Sequence, residues 1–289
     1  MTEFQKQLKE YVNSHPKLVT KKPAGDGIFI LKYKNTVFFK NSFNQFLEEC
    51  RGTIVDEDFN LVSYPLPKLY NYGIESRAPR IPLDSTVTAY RKINGFFAAA
   101  TWHNNELLVS TTGTTTSSYA ELAKTHLTNR VTGECKDNPD YSYLFEICDP
   151  SDPHIIEELG GPYYLGRRKK EWKSKVDYNQ LEEIAIRLDC FYPDTFIMTL
   201  KELIQLTKQV SHEGFVWTNG VVSAKIKSPT YLVQKAMARK KDILTLDKSK
   251  VPEEYFPLLD YLLSINNEFN LMEEQERLNL IRKWLNEQT

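Results

Sequence analysis

The amino-acid sequence predicts an α+β fold: a domain rich in antiparallel strands and flanked by helices, followed by a small helical C-terminal segment. Short runs of β-branched and aromatic residues, such as residues 86–90 and 96–102, alternate with turn residues in the part of the chain before residue 231. From residue 231 onward the apolar residues recur at helical spacing, and strand patterns nearly disappear. Strands that precede a run of helices are typical of the α+β class.

The composition is that of an ordinary globular protein. Of the 289 residues, 41% are apolar and 26% are charged, which allows one large domain or one domain with a small appendage. The net charge of −1 excludes nucleic-acid binding through overall charge, so any such affinity has to come from local basic patches. Residues 167–170 and 239–241 are candidate patches, and each is equally compatible with a solvated loop or helix face.

The four cysteines do not form a metal-binding pattern. Cys50, Cys135, Cys148 and Cys190 show no C-x-x-C pair and no adjacent histidine ligands, which argues against a structural zinc site. The chain does not open with a signal peptide, and it contains no long apolar run. We therefore expect reduced cysteines, a cytoplasmic protein and no membrane partner.

The regular elements follow from the periodicity of apolar residues. Residues 2–13 are predicted to form an amphipathic helix that Thr2 caps. Further helices are expected at residues 117–127, 177–190 and 199–209. Strands are expected at residues 28–31, 37–39, 49–55, 59–63, 106–111 and 141–147, and residues 133–140 are expected to be an exposed loop.

Lys92 stands out as a candidate nucleophile. It lies between the strands predicted at residues 86–90 and 96–102, next to an Asn-Gly dipeptide that favours a turn, so we expect a hairpin here. A lysine held against apolar walls loses its proton more easily than a solvated one, and a neutral amine is a nucleophile. Lys-x-x-Gly is expected about once by chance in a chain of this length, so this motif taken alone favours an ordinary hairpin with a surface lysine.

A second Asn-Gly dipeptide, at residues 219–220, predicts another hairpin. Lys225 and Lys227 share one face of its second strand because side chains alternate along a strand. A two-residue loop pairs Glu213 with Ile226 and leaves the two lysines on the opposite face. If Glu213 and both lysines serve one pocket, the hairpin needs a bulge or a loop of odd length.

Six short motifs in a fixed order carry a family resemblance. They are Arg51-Gly52, Lys68-Leu69-Tyr70-Asn71, Lys92-Ile93-Asn94-Gly95, Phe145-Glu146-Ile147, Glu213-Gly214-Phe215-Val216 and Lys225-Ile226-Lys227. Together they resemble the motifs of the covalent nucleotidyltransferases, the polynucleotide ligases and mRNA capping enzymes. Arg51-Gly52 and the stretch 65–71 ahead of Lys92 look like the RNA ligases of the T-even bacteriophage tRNA-repair type, and the resemblance covers about residues 45–235.

The resemblance implies an ATP-dependent RNA ligase with ATP and Mg²⁺ or Mn²⁺ as cofactors. Its partner is RNA with 5′-phosphate and 3′-hydroxyl ends, single-stranded or a broken tRNA-like molecule, and no protein partner is implied. The implied setting is RNA repair in the cytoplasm, the host cytoplasm if the protein is viral. Such a ligase joins AMP to its own lysine, moves AMP to the 5′-phosphate of RNA, and then seals the phosphodiester.

The resemblance also assigns roles at the reacting phosphate. Lys92 is the implied nucleophile. Lys225 and Lys227 are implied to contact the α-phosphate, and two adjacent cations also disfavour a protonated Lys92. Glu213 is implied to help hold the divalent metal directly or through water, since Mg²⁺ prefers oxygen ligands and keeps several waters.

Other residues are implied to bind the rest of ATP. Arg51 and Lys68 would contact the outer phosphates, and Glu146 would contact the ribose. The residues implied to line the nucleotide pocket are Tyr70, Gly95 and Tyr231. Each of these residues also has a simpler interpretation. Lys68 and Lys225 could be solvated cations, Arg51-Gly52 could be the start of a strand, and Glu146 could be paired with a structural arginine.

Two positions depart from the family pattern. Asn94 stands where the family usually has an acid; it accepts a hydrogen bond but carries no charge. Thr112-Gly113 stands where a lysine often precedes the glycine, so one expected phosphate contact is missing or moved.

Two other functions compete with the RNA ligase. A DNA ligase or a GTP-using capping enzyme usually carries an OB-fold barrel after the second lysine pair. Only 58 residues (232–289) follow Tyr231, and their helical pattern does not suit a five-stranded barrel. A catalytically inactive RNA-binding relative is the second alternative, which Asn94 keeps open.

The sequence predicts a boundary near residue 241, between a nucleotidyltransferase domain at 1–241 and a small helical domain at 242–289. Residues 252–289 carry eight acidic and three basic side chains, so this segment repels phosphates. We expect its apolar stripe of Leu278, Ile281, Trp284 and Leu285 to pack on the catalytic domain and the segment to help select RNA ends.

Overall fold

The computed structural model describes residues 1–288, which divide by their contacts into two compact units. The first unit comprises Met1–Leu69, Gly95–Pro150 and Leu159–Pro193. The second comprises Tyr70–Asn94, Ser151–Glu158 and the chain from Asp194 to the end of the described residues. The fold is α+β with antiparallel sheets and helices, as the sequence predicts.

The first unit contains two antiparallel sheets, with elements numbered in chain order through the whole chain. One sheet has the strand order β1-β2-β3-β4: β1 (Val19–Gly25), β2 (Ile28–Tyr33), β3 (Arg51–Asp56) and β4 (Leu61–Ser63). The other has the order β10-β9-β8-β6-β7: β6 (Phe96–His103), β7 (Glu106–Ser110), β8 (Tyr141–Cys148), β9 (Gly161–Lys169) and β10 (Val176–Asp177). The helices are α1 (Glu3–Ser14), α2 (Asn35–Phe39), α3 (Ser118–His126), α4 (Asn129–Asp137) and α5 (Leu181–Leu188).

The second unit contains one antiparallel sheet and a run of helices. The sheet has the order β11-β5-β12-β13: β5 (Thr86–Arg91), β11 (Thr195–Thr199), β12 (Gly214–Thr218) and β13 (Ser223–Lys227). The helices are α6 (Leu200–Thr207), α7 (Pro229–Ala238), α8 (Phe256–Ser264), α9 (Asn266–Leu271) and α10 (Glu274–Gln288). Three short 3-10 helices lie at Ile243–Thr245, Lys248–Lys250 and Glu253–Tyr255.

Local sequence signals explain where several elements begin. The Thr2 hydroxyl accepts a hydrogen bond from the backbone amide of Gln5, and the Gln5 side chain accepts one from the backbone amide of Thr2. This capping box starts α1, and Thr2 is the cap that the sequence predicts. Helix α7 begins at Pro229 after Ser228, whose hydroxyl accepts the amide of Tyr231. Each cap satisfies amide groups that the first helical turn leaves without an intrahelical partner.

The helical C-terminal segment packs on α7. Leu278 and Ile281 of the predicted stripe are buried in one cluster with Tyr231 and Met237, and Trp284 and Leu285 pack against that cluster. Residues beyond 241 therefore share a core with the chain before 241. A separate domain at 242–289 stays a prediction, because the contacts of the described residues draw no boundary at residue 241.

Three expected elements are wrong. Residues 37–39 lie in the five-residue helix α2, where Val37 is buried, because packing overrides the strand preference of a short apolar run. Residues 133–137 of the loop expected at 133–140 belong to helix α4, which spans Asn129–Asp137. Thr128 caps this helix, and its residues Val131 and Cys135 are buried.

The expected hairpin around Lys92 is the third error. Strands β5 and β6 belong to different sheets, and neither Asn94 nor Gly95 has the positive φ of a tight hairpin turn. Gly95 is needed for another reason: a Cβ there would lie 2.2 Å from the carbonyl oxygen of Ile147 on β8.

No helix in the described part of the chain combines the length and the apolar character that a membrane span requires.

Candidate active site

Three residues form a row across the sheet of the second unit. Lys92 follows β5 directly, and its backbone amide donates to the carbonyl of Gly214 over 2.8 Å. Gly214 in turn pairs with Lys227 on β13. Residues side by side on adjacent strands point their side chains to one face, so Lys92 and Lys227 flank a glycine that leaves the central position open.

Glu213 fills this open position. Its Oε2 lies 3.0 Å from the Lys92 Nζ, and its Oε1 lies 2.9 Å from the Lys227 Nζ. The Glu213 carboxylate therefore bridges two ammonium groups, and the expected proximity of Glu213 and Lys227 to Lys92 is confirmed.

The predicted bulge in this hairpin is wrong. Strand β12 pairs with β13 in a regular ladder from Gly214–Lys227 to Thr218–Ser223, closed by a four-residue loop at 219–222. Glu213 precedes the first residue of β12, so strand alternation does not set its direction. Gly214 has φ +126°, and a Cβ there would lie 2.1 Å from the Ile226 carbonyl oxygen, so only glycine fits at this turn.

Asn94 connects the carboxylate to a loop. Its Nδ2 donates to Glu213 Oε2 over 2.7 Å, and its Oδ1 accepts the amide of Ile156 over 2.9 Å. Both ends of the amide are used, and the donor end is one that an aspartate lacks. The difference from the acid of the resembled family therefore suits the neighbouring Glu213 carboxylate.

The electrostatics of the cluster favour an ionised Glu213. Glu213 is only 2% exposed, and this burial raises the pKa of its carboxyl. The nearby ammonium groups of Lys92 and Lys227 together outweigh burial and lower that pKa to about 2. The Lys227 Nζ also lies 4.6 Å from the centre of the Tyr231 ring. Burial and, next, the nearby Lys227 lower the pKa of Lys235.

The environment of Lys92 differs from the sequence-based expectation in one respect. The motif resemblance implies that neighbouring cations disfavour a protonated Lys92. The structure places the Glu213 carboxylate directly against the Lys92 amine, and an opposite charge at 3.0 Å favours the ammonium form. The ion pair with Glu213 therefore works against loss of the Lys92 proton.

Lys225 and Tyr70 are brought together by backbone pairing. The Lys225 amide donates to the Tyr70 carbonyl over 3.0 Å, and the Lys225 carbonyl accepts the Tyr72 amide over 2.7 Å. Tyr70 is buried, and its hydroxyl accepts the Arg77 Nε over 3.1 Å. The stretch that begins at Tyr70 is thereby held along the edge of β13, beside the strand that carries Lys225 and Lys227.

The first unit carries the remaining predicted site residues. Lys68 is 8% exposed, and its Nζ lies 5.2 Å from the ring of Phe43, so the reading of Lys68 as a solvated surface cation is wrong. The Arg51 guanidinium lies 5.9 Å from the ring of Phe97. Glu146 accepts the Gly95 amide over 3.3 Å, which gives this carboxylate a donor inside an apolar strand.

Lys32 is a cation that the sequence analysis did not single out. It pairs with Arg51 across β2 and β3, and its Nζ would lie 2.9 Å from a Cβ built on Gly113. The loop at Thr112 also approaches β3 closely, because a Cβ on Gly52 would lie 2.8 Å from the Thr112 Cα. A lysine from β2 therefore lies beside the loop that lacks the expected lysine at residue 112.

Arg91 and Glu158 were also missed. Arg91 Nη2 lies 2.6 Å from Glu158 Oε2, and both residues belong to the second unit. The two are 67 positions apart in sequence, and no periodic pattern or turn signal relates them. The basic patch at 167–170, in contrast, is partly structural, since Arg168 is buried and pairs with Glu49.

The described residues offer few protein ligands to a divalent cation. Among the described residues, no group of three or more His, Cys, Asp or Glu side chains forms that could hold a metal by itself. Glu213 offers one ionised carboxylate. This donor set fits a Mg²⁺-like ion whose other ligands are water and nucleotide phosphate oxygens, rather than an ion caged by protein.

Comparisons with known proteins establish the fold. No family model matches the chain, and no curated protein sequence matches it. The structure is similar to an archaeal ATP-dependent RNA ligase, with a TM-score of 0.60 at 13% sequence identity over 97% of this chain and 79% of that chain. It is also similar to a proposed ATP-dependent DNA ligase from Aquifex aeolicus, with a TM-score of 0.57 at 15% identity over 96% of this chain and 76% of that chain. The antiparallel α+β fold is therefore one that ATP-dependent ligases also have.

Proposed function

We propose that this protein is an ATP-dependent RNA ligase of the T-even bacteriophage tRNA-repair type. The observation that carries the proposal is the cluster of Lys92, Glu213 and Lys227, in which a lysine at a strand end, a buried carboxylate and a second lysine lie within ion-pair distance. The motif order of the sequence and the fold shared with ATP-dependent ligases support the same reading.

In the proposed first step, the Lys92 Nζ attacks the α-phosphorus of ATP. A phosphorus–nitrogen bond forms, the bond from the α-phosphorus to the bridging oxygen breaks, and pyrophosphate leaves. Lys92 has to lose its proton and its ion pair with Glu213 before it attacks. Lys227, whose side chain leaves the same face of the sheet as that of Lys92, is proposed to neutralise charge on the α-phosphate.

In the second and third steps AMP moves from Lys92 to an RNA 5′-phosphate, and a 3′-hydroxyl then displaces AMP. Lys225 shares the face of Lys227 on β13 and is proposed to contact the same α-phosphate. Glu213 is the proposed protein ligand of a Mg²⁺ or Mn²⁺ ion, which supplies positive charge that stabilises the leaving phosphates.

The remaining nucleotide contacts are proposed from the motif resemblance. Arg51 and Lys68 would contact the outer phosphates of ATP, and Glu146 would contact the ribose. Both cations are kept near aromatic rings, and Lys68 is buried, as suits a phosphate contact more than a solvated cation. Tyr70, Gly95 and Tyr231 are also proposed to contact the nucleotide.

The proposed substrate is RNA with 5′-phosphate and 3′-hydroxyl ends, and the proposed setting is RNA repair in the cytoplasm. A DNA ligase is the second candidate, favoured by the similarity of the fold to the Aquifex aeolicus protein. A catalytically inactive RNA-binding protein is a further alternative that Asn94 leaves open.

A labelling experiment separates these functions. The protein is incubated with ATP or GTP that is radiolabelled at the α-phosphate, together with Mg²⁺ or Mn²⁺, and run on a denaturing gel. We expect a covalent label from ATP only, followed by joining of single-stranded RNA but not of nicked duplex DNA. Labelling by GTP would identify a capping-type enzyme, sealing of DNA would identify a DNA ligase, and absence of any label would leave the RNA-binding alternative.

A further inference from the structure

Two neighbouring phenylalanines of the short helix α2 lie on the surface of the first unit. Phe39 is 79% exposed and Phe38 is 51% exposed. A single exposed apolar side chain needs no explanation, whereas two adjacent exposed aromatic rings are an informative feature of a surface. We call Phe38 and Phe39 the α2 patch.

The helix itself turns these rings outward. Helix α2 follows β2 after Lys34, and its residue Val37 is fully buried. Successive residues of an α-helix are about 100° apart, so Phe39 lies about 200° from Val37, on the opposite side of the helix. The exposure of Phe39 is therefore a consequence of the way in which α2 packs on the core.

Backbone hydrogen bonds fix the end of α2. The Ser42 amide donates to the Val37 carbonyl over 3.0 Å, and the Asn41 amide donates to the Phe38 carbonyl over 3.1 Å. Asn41 has φ +48°, so the helix ends in a Schellman motif. Phe43, which follows directly, is 4% exposed. The α2 patch therefore belongs to a fixed turn, and a ligand does not have to order this turn when it binds.

The two rings leave flat apolar surface for a further aromatic group. Their centres are 5.7 Å apart, and their planes meet at 75°. Such an edge-to-face pair engages the face of one ring and the edge of the other. The rings therefore do not cover each other as two stacked rings would.

The chain around the α2 patch is basic. Residues 27–47 contain three lysines, Lys32, Lys34 and Lys40, and no aspartate or glutamate. Lys34 and Lys40 directly precede and follow α2, and Lys40 is exposed. The segment thus carries positive charge that no acid within it offsets, although the whole chain has a net charge of −1.

Exposed rings between lysines match one class of polymer. Single-stranded nucleic acid offers bases whose faces can stack on aromatic side chains, and phosphates that pair with cations. A duplex keeps its bases stacked on one another, so it does not offer these faces along its length. A protein partner would need the apolar area of the patch but not the flat shape of a ring, and this difference can be tested.

We propose that the α2 patch is a stacking site for an unpaired base of RNA, and that Lys34 and Lys40 contact the phosphates on either side of that base. The choice of RNA rests on the proposed function, whereas the binding of an unpaired base does not. The site lies within the first unit and is separate from the cluster of Lys92, Glu213 and Lys227 in the second unit.

The test measures binding without ATP and without ligation. Fluorescence anisotropy gives the Kd of the full-length protein for a short, labelled single-stranded RNA. Phe39 is the residue to change, because Phe38 also lies 5.7 Å from the Lys68 Nζ. Phe39→Ala should raise the Kd about tenfold, since stacking of one base is lost. Leu159→Ala, at a residue of the same unit that is 69% exposed, is the matched control and should keep the wild-type Kd.

Two further variants separate stacking from apolar docking. Phe39→Trp keeps a flat ring and should bind RNA at least as tightly as the wild type. Phe39→Leu keeps apolar area without a ring and should bind as weakly as Phe39→Ala. With an RNA of the same length that lacks its bases, the four proteins should have equal Kd values. Circular dichroism checks that each variant is folded.

A salt titration tests the two flanking cations. The slope of log Kd against log salt concentration should fall in magnitude by about 0.7 in Lys40→Gln if one phosphate contact is lost. Lys201→Gln, at an exposed residue of the second unit, should keep the wild-type slope. An unchanged slope in Lys40→Gln overturns the phosphate contact.

Three results overturn the stacking site itself. They are a wild-type Kd in folded Phe39→Ala, a tenfold loss that persists with the RNA that lacks bases, and full affinity in Phe39→Leu. The last of these results would identify an apolar docking surface for a protein instead.

Parallel assays of AMP uptake and sealing separate this inference from the proposed function. If the wild type takes up no AMP but Phe39→Ala weakens RNA binding, the ligase proposal fails and the stacking site stands. If the wild type seals RNA and Phe39→Ala keeps its Kd, the stacking site fails and the ligase proposal stands. Sealing of DNA but not of RNA would overturn the choice of RNA as the bound strand.

Discussion

At the scale of single residues, the proposed site centres on one carboxylate shared by two lysines. Glu213 is ionised and buried, and it lies between the amines of Lys92 and Lys227. Removing either partner of a buried ion pair leaves an uncompensated charge, so each of these residues is expected to affect both stability and activity. The roles therefore have to be separated by substitutions that change chemistry and charge independently.

The first prediction concerns the nucleophile. Lys92→Ala and Lys92→Arg should both reduce covalent AMP labelling to background, since alanine has no amine and arginine stays protonated. Arginine preserves the positive charge opposite Glu213, so this variant should stay close to wild type in stability. Labelling on a denaturing gel measures the first effect, and thermal unfolding measures the second.

Lys6→Ala is the control for this pair, because Lys6 is an exposed residue of α1. It should label as the wild type does. Covalent AMP on a protein that carries Lys92→Arg would show that another residue is the nucleophile.

The residue identities of the cluster could be predicted from the sequence, but its geometry could not. The motif order singled out Lys92, Glu213 and Lys227, and the structure brings their side chains together. Strand alternation wrongly required a bulge, because the rule does not apply to Glu213, which lies outside the ladder at a glycine with positive φ. Glu158 could not be predicted, since its partner Arg91 is distant in sequence and a lone acid has no periodicity.

At the scale of elements, the turn at the start of β12 fixes the position of Glu213. The turn depends on Gly214, whose φ is +126° and where a Cβ would meet the backbone of β13 at 2.1 Å. A backbone clash of this kind cannot be relieved by a change of side-chain rotamer.

The second prediction compares two glycines of one hairpin. Gly214→Ala should lower the free energy of unfolding by about 2–4 kcal/mol, since it combines an unfavourable φ with a backbone clash. Gly220 has φ +84°, but a Cβ built there meets open space. Gly220→Ala should therefore lower the free energy of unfolding by only about 1 kcal/mol. Urea unfolding of both variants measures the difference, and equal losses would mean that the clash at Gly214 is relieved.

The third prediction concerns pH and the residue before Glu213. The Nδ1 of His212 accepts the amide of Gly214, and burial, with the nearby Arg91, lowers the pKa of His212 from 6.5 to about 4. A group whose pKa is lower in the folded protein adds stability above its unfolded value, and this stability is lost as the pH falls from 6.5 towards 4. The protein should therefore lose about 2 kcal/mol or less between pH 7 and pH 5 through His212.

His212→Asn tests this contribution, because its side-chain oxygen can accept the same amide but does not titrate. The fall in unfolding free energy between pH 7 and pH 5 should shrink in this variant and stay at the wild-type size in His15→Asn, at an exposed position. Glu213 affects a lower window, because its lowered pKa makes its contribution disappear only below about pH 4.5. An undiminished fall in His212→Asn would assign the loss to other groups.

The element pattern was predictable where one signal dominated. The capped helix α1, strands β2, β3 and β8, and the helical segment after residue 231 follow from periodicity and caps. Helix α2 and the separation of β5 from β6 do not follow from such signals. A run of five residues or a single Asn-Gly dipeptide is too short a signal, so tertiary packing determines which structure forms there.

At the scale of the whole molecule, the C-terminal helices join the core that contains Tyr231. Truncation after residue 241 would expose this apolar cluster, so loss of folding would obscure any effect on catalysis. A single contact is a better probe: Arg282 of α10 holds the loop that ends at Glu158.

The fourth prediction uses that contact. Arg282→Gln should lower the rate of AMP uptake severalfold while leaving the protein folded, because it loosens the loop that positions Glu158 and receives Asn94. Lys283→Gln, the neighbouring exposed residue that faces Glu287, is the matched control and should keep the wild-type rate. Equal rates in the two variants would limit α10 to a role in packing, and slower RNA sealing with normal AMP uptake would support selection of RNA ends by this segment.

The central claim is that Lys92 carries AMP between ATP and RNA, and peptide mapping tests it most directly. The protein is incubated with ATP and Mg²⁺, digested, and analysed by mass spectrometry, before and after a chase with single-stranded 5′-phosphorylated RNA. The account predicts one AMP on the peptide that contains Lys92 before the chase, and loss of that AMP with formation of adenylated or sealed RNA afterwards. AMP on a different residue, or AMP on Lys92 that RNA does not remove, would contradict it.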